Sequence, residues 1–268
     1  MAELGRETAQ DRVRFRGGGF APGQRRGPAL LVFAALIAFW QGGSSLGWIN
    51  PLFLPSPAHI SQALYDVAAS GELWRHFTAS LGRILGGWAI GTAAGLALGT
   101  AMGLFTLARS IGMPLVSAIF PVPKIALLPL FILWFGIGEP SKLATIALGV
   151  FFPTVINCYS GIDGVARNLI RMAQSFDLPP RDIVRKVVLP GAMPTIIAGF
   201  RISSSVALIL VVAAEMIGAE HGLGAFVLQA GHLMATDQLL AGVVCLSVLG
   251  LIFGAAITAL ERSLLRWR

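Results

Sequence analysis

The sequence predicts an all-α membrane protein with six transmembrane helices, and three observations lead to this class. The 268 residues are 55% hydrophobic and only 12% charged, whereas about a quarter of the residues in soluble domains are charged. Six apolar windows each approach the length of about 20 residues that a helix needs to cross a bilayer. Lysine and arginine are concentrated in alternate connections between these windows, which is the pattern that orients membrane proteins.

The predicted spans lie near residues 28–47, 78–105, 113–135, 142–161, 195–218 and 238–260. If the N-terminus is cytoplasmic, 15 of the 20 lysines and arginines lie on the cytoplasmic side, so both termini are predicted there. The domain organisation follows: a disordered basic cytoplasmic tail over 1–27, a transmembrane domain over 28–262, and a second basic cytoplasmic tail over 263–268. Residues 48–77 then lie outside, with a helix predicted over 58–77.

The second span contains a regular series of glycines. In lipid, a helix face made of small residues lets another helix pack closely, because side chains do not hold the backbones apart. The predicted partner is either a helix of this chain or a second subunit. The glycines recur at every fourth residue, on one face of the helix, and are Gly87, Gly91, Gly95, Gly99 and Gly103.

The connection over 163–194 is charged and rich in proline. Helices are predicted over 169–176 and from Arg181 onward, with Asp177 at the turn between them because aspartate tolerates a left-handed backbone. Pro180 suits the first turn of the second helix, and Pro190 is predicted to end it. That helix is amphipathic: one arc carries Ile183, Val184, Val187 and Val188, and the other carries Arg181, Asp182, Arg185 and Lys186.

The residues alone leave two partners open for this amphipathic helix. It could lie on an anionic lipid surface, or it could bind in a groove of a cytoplasmic protein with its apolar arc buried and its cations at the rim. Lipid binding would account for the basic face but not for a helix-turn-helix stiffened by prolines.

The stretch "RMAQSFDLPPRDIVRKVVLPGAMP" resembles the cytoplasmic signature loop of the membrane subunits of bacterial ABC importers. That pattern is Glu-Ala-Ala, three residues, Gly, nine residues, then Ile-x-Leu-Pro. Ala173 takes the second Ala place, while Arg171, Met172 and Asp177 depart from Glu, Ala and Gly. The Ile, Leu and Pro places are taken by Val187, Leu189 and Pro190.

Four further stretches, "LPSPAHI", "HFTASLGRILGGWAIGTAAGLALG", "PVPKIALLPLFILWFGIGEPSK" and "AAEMIGAEHGLG", resemble permeases of the nitrate, sulfonate and taurine importers. The resemblance covers about residues 30–262 and implies the type I ABC importer permease fold in a bacterial inner membrane. It also implies a homodimer with a second permease copy, two ABC ATPase subunits, and an extracytoplasmic binding protein that delivers a small anionic solute. The implied ATPase-coupling residues are Arg171, Ala173, Asp177, Pro180, Arg181, Ile183, Val184, Arg185, Lys186, Val187, Leu189 and Pro190.

This chain is not itself expected to hydrolyse ATP. Its three lysines, Lys124, Lys142 and Lys186, do not follow a glycine, so the sequence lacks the phosphate-binding GxxxxGK[ST] loop. ATP and Mg²⁺ are therefore assigned to the partner ATPase, and no cofactor or metal is assigned to this chain. The positive net charge is explained by membrane orientation and lipid contact, and nucleic acid is not expected as a partner.

Polar residues inside the predicted spans are candidates for the translocation path, because exposing them to lipid is costly. Lys124 and the serines would attract an anion, whereas Glu215 would repel it and suits a gate or packing role. Hydrogen bonding between helices, or a lysine reaching the interface, is the alternative for each. The candidates are Lys124, Asn157, Ser203, Ser204, Ser205 and Glu215.

Two other classes of protein compete with an ABC permease. A secondary transporter would carry broken helices in two related halves, but the sequence has no clear repeat. A membrane hydrolase would need a catalytic pattern such as H-E-x-x-H or G-x-S-x-G. The first does not occur, and the one match to the second, GSSLG over residues 43–47, lies at the end of an apolar predicted span and not at the strand-to-helix turn that this motif requires.

Overall fold

A computed structural model describes residues 26–265, and every regular element in that range is helical. The tail predictions for residues 1–25 and 266–268 lie outside the described residues. In chain order the helices are α1 (Arg26–Ser45), α2 (Pro57–Ala69), α3 (Glu72–Leu104), α4 (Thr106–Ile119), a 3₁₀ helix (Lys124–Leu127), α5 (Leu128–Phe135), α6 (Glu139–Asp163), α7 (Arg167–Ser175), α8 (Pro180–Ile183), a π-helical segment (Val184–Val188), α9 (Leu189–Gly218), α10 (Leu223–His232) and α11 (Thr236–Leu264).

Within residues 26–265, four helices are long and apolar enough to cross a bilayer: α3, α6, α11 and the continuous helix Pro180–Gly218. A bent pair formed by α4 and Lys124–Phe135 would make a fifth span. The apolar part of α1, Leu30–Ser45, is shorter than the about 20 residues that a span usually needs. The structure therefore supports a helical protein with four or five spans, while the count of six stays a prediction.

The third predicted span, 113–135, is not one helix. Helix α4 ends at Ile119, and the chain turns through 88° before the helix Lys124–Phe135. Pro121 and Pro123 lie in this break, and neither has the backbone N–H that would continue a helical hydrogen-bond ladder.

The outer helix predicted over 58–77 is also divided, at Gly71, where φ is +79°.

The glycine series of α3 packs against α6 of the same chain, which confirms the prediction of close helix packing and selects the intrachain partner. A Cβ atom built on any of the five glycines would lie closer than 3.0 Å to an atom of α6. At Gly95, for example, it would lie 2.7 Å from Cβ of Thr154 and 2.9 Å from the carbonyl oxygen of Phe151. The two backbones can approach this closely only because α3 has no side chains along this face.

A different face of α6 packs on α9. A Cβ built on Gly199 of α9 would lie 2.5 Å from Cβ of Asn157, and one built on Gly161 would lie 2.9 Å from the carbonyl oxygen of Ala192. Trp88 joins α3 to α9 and α11, because its ring lies edge-on to both Phe200 and Phe253 at 5.6 Å between centroids. Helices α3, α6, α9 and α11 thus form the bundle that places the groups at its two ends.

We call these the α10 end and the α7 end. The α10 end contains the first residues of α3 and α6, the last residues of α9, and α10. The α7 end contains the last residues of α3 and α6, the first residues of α9, and α7 with α8.

Substituting Gly95 with alanine is expected to destabilise the protein by about 1–3 kcal/mol, because the added carbon meets the backbone of α6. The measurement is the unfolding midpoint in detergent with a thiol-reactive fluorophore. This dye reports unfolding because the chain's two cysteines, Cys158 and Cys245, are both buried.

The matched control is Gly82→Ala in the same helix, where an added Cβ meets nothing within 4 Å. This variant should be unchanged or more stable by up to about 1 kcal/mol, because alanine favours a helix over glycine. Equal midpoints for the two variants would contradict the packing of this glycine face on α6.

Candidate functional site: the two ends of the helix bundle

At the α7 end, α7 and α8 form a helix pair joined by a tight turn. Asp177 has a left-handed backbone with φ of 52°, which confirms the predicted turn. Its N–H donates to the carbonyl of Gln174 at 2.9 Å, and the N–H of Leu178 donates to the carbonyl of Ala173 at 3.3 Å. This is the Schellman arrangement that commonly ends a helix. Ala173 is buried and Leu178 packs against the same apolar cluster, so the turn is held from both sides.

The second helix of the pair does not end at Pro190, and that prediction was wrong. The helix continues from Pro180 to Gly218 over 39 residues. The turn before Pro190 is widened into a π-helical segment, in which the N–H of Leu189 donates to the carbonyl of Val184. A π-bulge is one of the ways a helix absorbs a residue that breaks its regular ladder. The projecting helix is therefore continuous with a spanning helix.

The apolar arc of this helix does not face outward as predicted. Ile183 and Val188 are buried in this chain, in a cluster with Cys158, Ile162 and Phe200. An amphipathic pattern identifies the apolar face of a helix but not the surface that covers it, and here the covering surface is the chain's own α6 and α9. Val184 and Val187 are half-buried.

The exposed surface of the helix pair combines apolar and basic side chains. Phe176 is 73% exposed and Met172 is 55% exposed, although both are apolar. Pro180 is also exposed, Leu189 and Pro190 are half-buried, and Lys186 pairs with Asp182 at 2.9 Å. We call this surface the α7–α8 face; it comprises Arg171, Met172, Phe176, Arg181, Arg185 and Lys186.

At the α10 end, an ion-pair network is buried between α3, α6 and α9. Arg83 Nη1 donates to Glu215 Oε1 at 2.7 Å, where the arginine side chain is 6% exposed and the glutamate is fully buried. The same guanidinium donates from Nε and Nη2 to the two carboxylate oxygens of Glu139, at 2.7 and 2.6 Å. Glu139 is half-exposed and also lies 3.9 Å from Lys142. One arginine thus balances a buried carboxylate and an accessible one.

Glu215 also fixes the start of α10. Both of its oxygens accept from the hydroxyl of Ser80, at 2.8 and 2.9 Å, and Oε2 accepts from the N–H of Gly224 at 2.8 Å. The N–H of Leu223 donates to Ser80 Oγ at 2.8 Å. The carboxylate therefore takes up an amide of the first turn of α10, a position where helical amides lack partners within the helix. We call Ser80, Arg83, Glu139 and Glu215 the Arg83 network.

Sequence reasoning found Glu215 but missed its partners. Arg83 lies within the predicted second span, four residues before Gly87, and so continues the glycine face of α3 toward α6. This spacing, together with the need of a glutamate within a span for a positively charged partner, could have predicted the pairing of Arg83 with Glu215. Glu139 and Ser80 gave no comparable pattern.

Lys124 stabilises the break in the third predicted span. Its ammonium donates to the carbonyls of Ile119, Phe120 and Val122, at 3.0, 2.6 and 2.7 Å. It also lies 4.6 Å from the ring centroid of Phe152. Since an ammonium has three N–H donors, all three are used here on the carbonyl at the end of α4 and on two carbonyls in the break that follows it.

The other path candidates make separate contacts within the helix bundle. Ser203 is buried, donates to the carbonyl of Phe200 and accepts from Trp88 Nε1 at 3.0 Å. Ser204 is also buried, and half-buried Asn157 donates to the carbonyl of Pro153 at 2.8 Å. Ser205 is the exposed member, and it donates to the carbonyl of Arg201 at 3.3 Å. In one copy of the chain, most of these groups serve contacts between or within helices.

The fold and the two ends define a multi-span helical membrane protein with a projecting helix pair. The chain belongs to the family of binding-protein-dependent transport system inner membrane components, the permeases of ABC transporters, whose model matches residues 91–266. It is 38% identical to the taurine transport system permease protein TauC of Escherichia coli over 88% of each chain. It is 35% identical to the putative aliphatic sulfonates transport permease protein SsuC of Bacillus subtilis, covering 98% of this chain and 94% of that one.

Solved structures of importers have a similar fold. One chain of the inward-facing MetNI methionine ABC transporter superposes with a TM-score of 0.61, at 22% identity, over 72% of this chain and 95% of that one. A chain of an amino acid ABC transporter, solved with histidines, gives a TM-score of 0.59 at 16% identity, over 75% of this chain and 97% of that one. These likenesses confirm the type I importer permease fold that the resemblance implied.

Replacing Arg83 with methionine is expected to destabilise the chain by about 3–5 kcal/mol, because it leaves the buried carboxylate of Glu215 without a countercharge. Unfolding midpoints in detergent measure the effect. The double variant Arg83→Met/Glu215→Leu should recover most of the loss, because it removes both buried charges. An Arg83→Met protein as stable as the wild type would show that the pair is not a buried countercharge.

Proposed function

We propose that this chain is the permease subunit of an ATP-driven importer for a small anionic sulfonate, such as taurine or an aliphatic sulfonate. A binding protein outside the membrane would deliver the solute, and two ATPase subunits inside would supply ATP hydrolysis with Mg²⁺. The observation that carries the coupling role is the continuous helix Pro180–Gly218. The permeases named for taurine and aliphatic sulfonates, at 35–38% identity, support the solute class.

The proposed topology has six spans, with α1 and the bent α4–α5 pair counted among them and both termini in the cytoplasm of a bacterium. The α7 end is placed inside, because basic residues are concentrated on the inner side of membrane proteins. Arg109 and most cations of the 163–194 connection lie at the α7 end, whereas Arg75, Arg83 and Lys142 lie at the α10 end. The α10 end then faces outward.

The α7–α8 face is the proposed contact for an ATPase subunit. Exposed Phe176 and Met172 would enter an apolar groove, and Arg181 and Arg185 would lie at its charged rim. The Schellman turn and the prolines give this helix pair a fixed shape. Because α8 continues into α9, a displacement of the pair moves a spanning helix without a flexible connection between them.

The translocation path is proposed to run between two copies of the chain. This arrangement is favoured because Ser203, Ser204 and Glu215 are buried inside a single copy of the chain. Ser205 is the exposed hydroxyl that such an interface could contain. Lys124 would contribute its positive charge near the break in the bent pair and would not bind the anion directly.

Phe176→Asp is expected to lower retention of the ATPase subunit when the complex is purified through the permease. The aspartate places a charge in the apolar centre of the proposed contact, while the chain itself keeps its core because Phe176 is 73% exposed. Retention is measured as the ratio of ATPase subunit to permease after purification.

The matched control is Phe53→Asp, which changes an equally exposed phenylalanine, at 80%, before α2. It should leave retention at the wild-type value. Undiminished retention by Phe176→Asp, together with loss of binding to anionic vesicles, would assign the α7–α8 face to lipid and overturn the coupling role.

The solute class is tested on the partner binding protein. Taurine or a short alkanesulfonate should raise its unfolding temperature, because a ligand at one hundred times its Kd stabilises a protein by about 2.7 kcal/mol. Nitrate and bicarbonate serve as the anionic comparisons. A shift with these ions or with a pyrimidine precursor, and none with sulfonates, would contradict the proposed solute.

A further inference from the structure

A polar cavity of about 580 Å³ lies at the α10 end, against the first turns of α3 and the connection from α9 to α10. Arg75 and His76 of α3, Glu220 and His221 of the connection, and Gln229 of α10 are among its lining residues. Under the proposed function, on which the following inference rests, this cavity faces the side from which the binding protein approaches.

The residues of this cavity bond directly to the connection that the Arg83 network holds. The carbonyl of His221 accepts from Arg83 Nη1 at 2.6 Å, and Arg75 Nη2 donates to His221 Nε2 at 3.0 Å. Buried His76 has Nδ1 at 3.0 Å from the amide nitrogen of Gly222 and at 2.9 Å from its carbonyl oxygen. A partner that contacts His76 or His221 in the cavity therefore contacts residues that are hydrogen-bonded to Gly222, just before α10, or to Arg83.

The Arg83 network leaves α10 little freedom to move by itself. The Glu215 carboxylate takes its donors from Ser80 of α3, Arg83 of α3 and the N–H of Gly224 in α10. Shifting α10 by the length of one hydrogen bond would take a donor from a fully buried carboxylate, and such a loss is costly. The lower-cost movement is one in which α10 and the outer turns of α3, α6 and α9 shift together.

We propose that Arg83 and Glu215 are positioning residues for transport: they bind α10 to the outer ends of α3, α6 and α9, so that docking of the binding protein is passed to the spans. Neither residue contacts the solute in this role. The network acts on the signal that docking sends to the ATPase subunits.

The test uses the whole importer in nanodiscs, with the ATPase rate measured with and without the solute-loaded binding protein. Glu215→Gln should lower the ratio of stimulated to basal rate severalfold, toward one. Glutamine keeps the shape but has one acceptor oxygen in place of two, and its NH2 group cannot accept, so it cannot accept from both Arg83 and Gly224 as the carboxylate does. Arg83 keeps its pair with Glu139. Ser80→Ala, which retains both charges and removes the link to the amide of Leu223, should lower the ratio in the same direction.

The matched control is Glu261→Gln, which breaks the pair of Glu261 with Arg201, at 2.5 Å, near the α7 end. It should leave the ratio at the wild-type value. A ratio does not depend on how much protein folds, so loss of folded complex alone would not move it. If Glu215→Gln does not assemble, Ser80→Ala decides the outcome.

The outcomes separate the two proposals. A wild-type complex that the binding protein stimulates, with both Ser80→Ala and Glu215→Gln stimulated equally well, would overturn this inference and leave the proposed function standing. A fall in ratio as large for Glu261→Gln as for Glu215→Gln would also overturn it, because any lost ion pair would then suffice. A wild-type complex that retains no ATPase subunit and shows no stimulation would overturn both.

Discussion

The close packing of α3 on α6 is the contact on which the rest of the structure depends. In a bilayer, water does not drive apolar helices together, so close approach of backbones has to supply the association. The glycines from Gly87 to Gly103 provide it along the length of α3. Helix α6 in turn packs Gly149 and Gly161 against α9. Arg83, one turn before Gly87, continues the same face and meets Glu139 and Glu215 because α6 and α9 are already in place.

This packing connects two ends that differ in chemistry. At the α7 end, exposed Phe176 and Met172 lie beside arginines on a helix pair that continues into α9. At the α10 end, the same α9 carries Glu215, whose carboxylate holds the start of α10. One helix therefore joins the proposed ATPase contact to the proposed outer contact. A displacement at either end reaches the other through the packed backbones of α3, α6 and α9.

The parts of the fold and of the candidate site that depend on neighbouring residues in the sequence could be predicted. The left-handed turn at Asp177 and the close packing along the glycines follow from the residues themselves. Contacts distant in sequence could not be predicted in the same way: Arg83 and Glu215 are 132 residues apart, and an apolar arc does not reveal that its own chain covers Ile183 and Val188. The length and apolar character of 113–135 predicted a single span, whereas the structure breaks it at Pro121 and Pro123.

ATP-dependent uptake in proteoliposomes tests the central claim most directly, namely that this chain forms the path of an importer powered by a separate ATPase. The chain, the ATPase subunit and the binding protein would be reconstituted, with the solute and binding protein on one side and ATP on the other. We expect labelled taurine or alkanesulfonate to accumulate only when ATP, the ATPase subunit and the binding protein are all present. Accumulation by this chain alone, driven by an ion gradient without ATP, would contradict the account and indicate a secondary transporter.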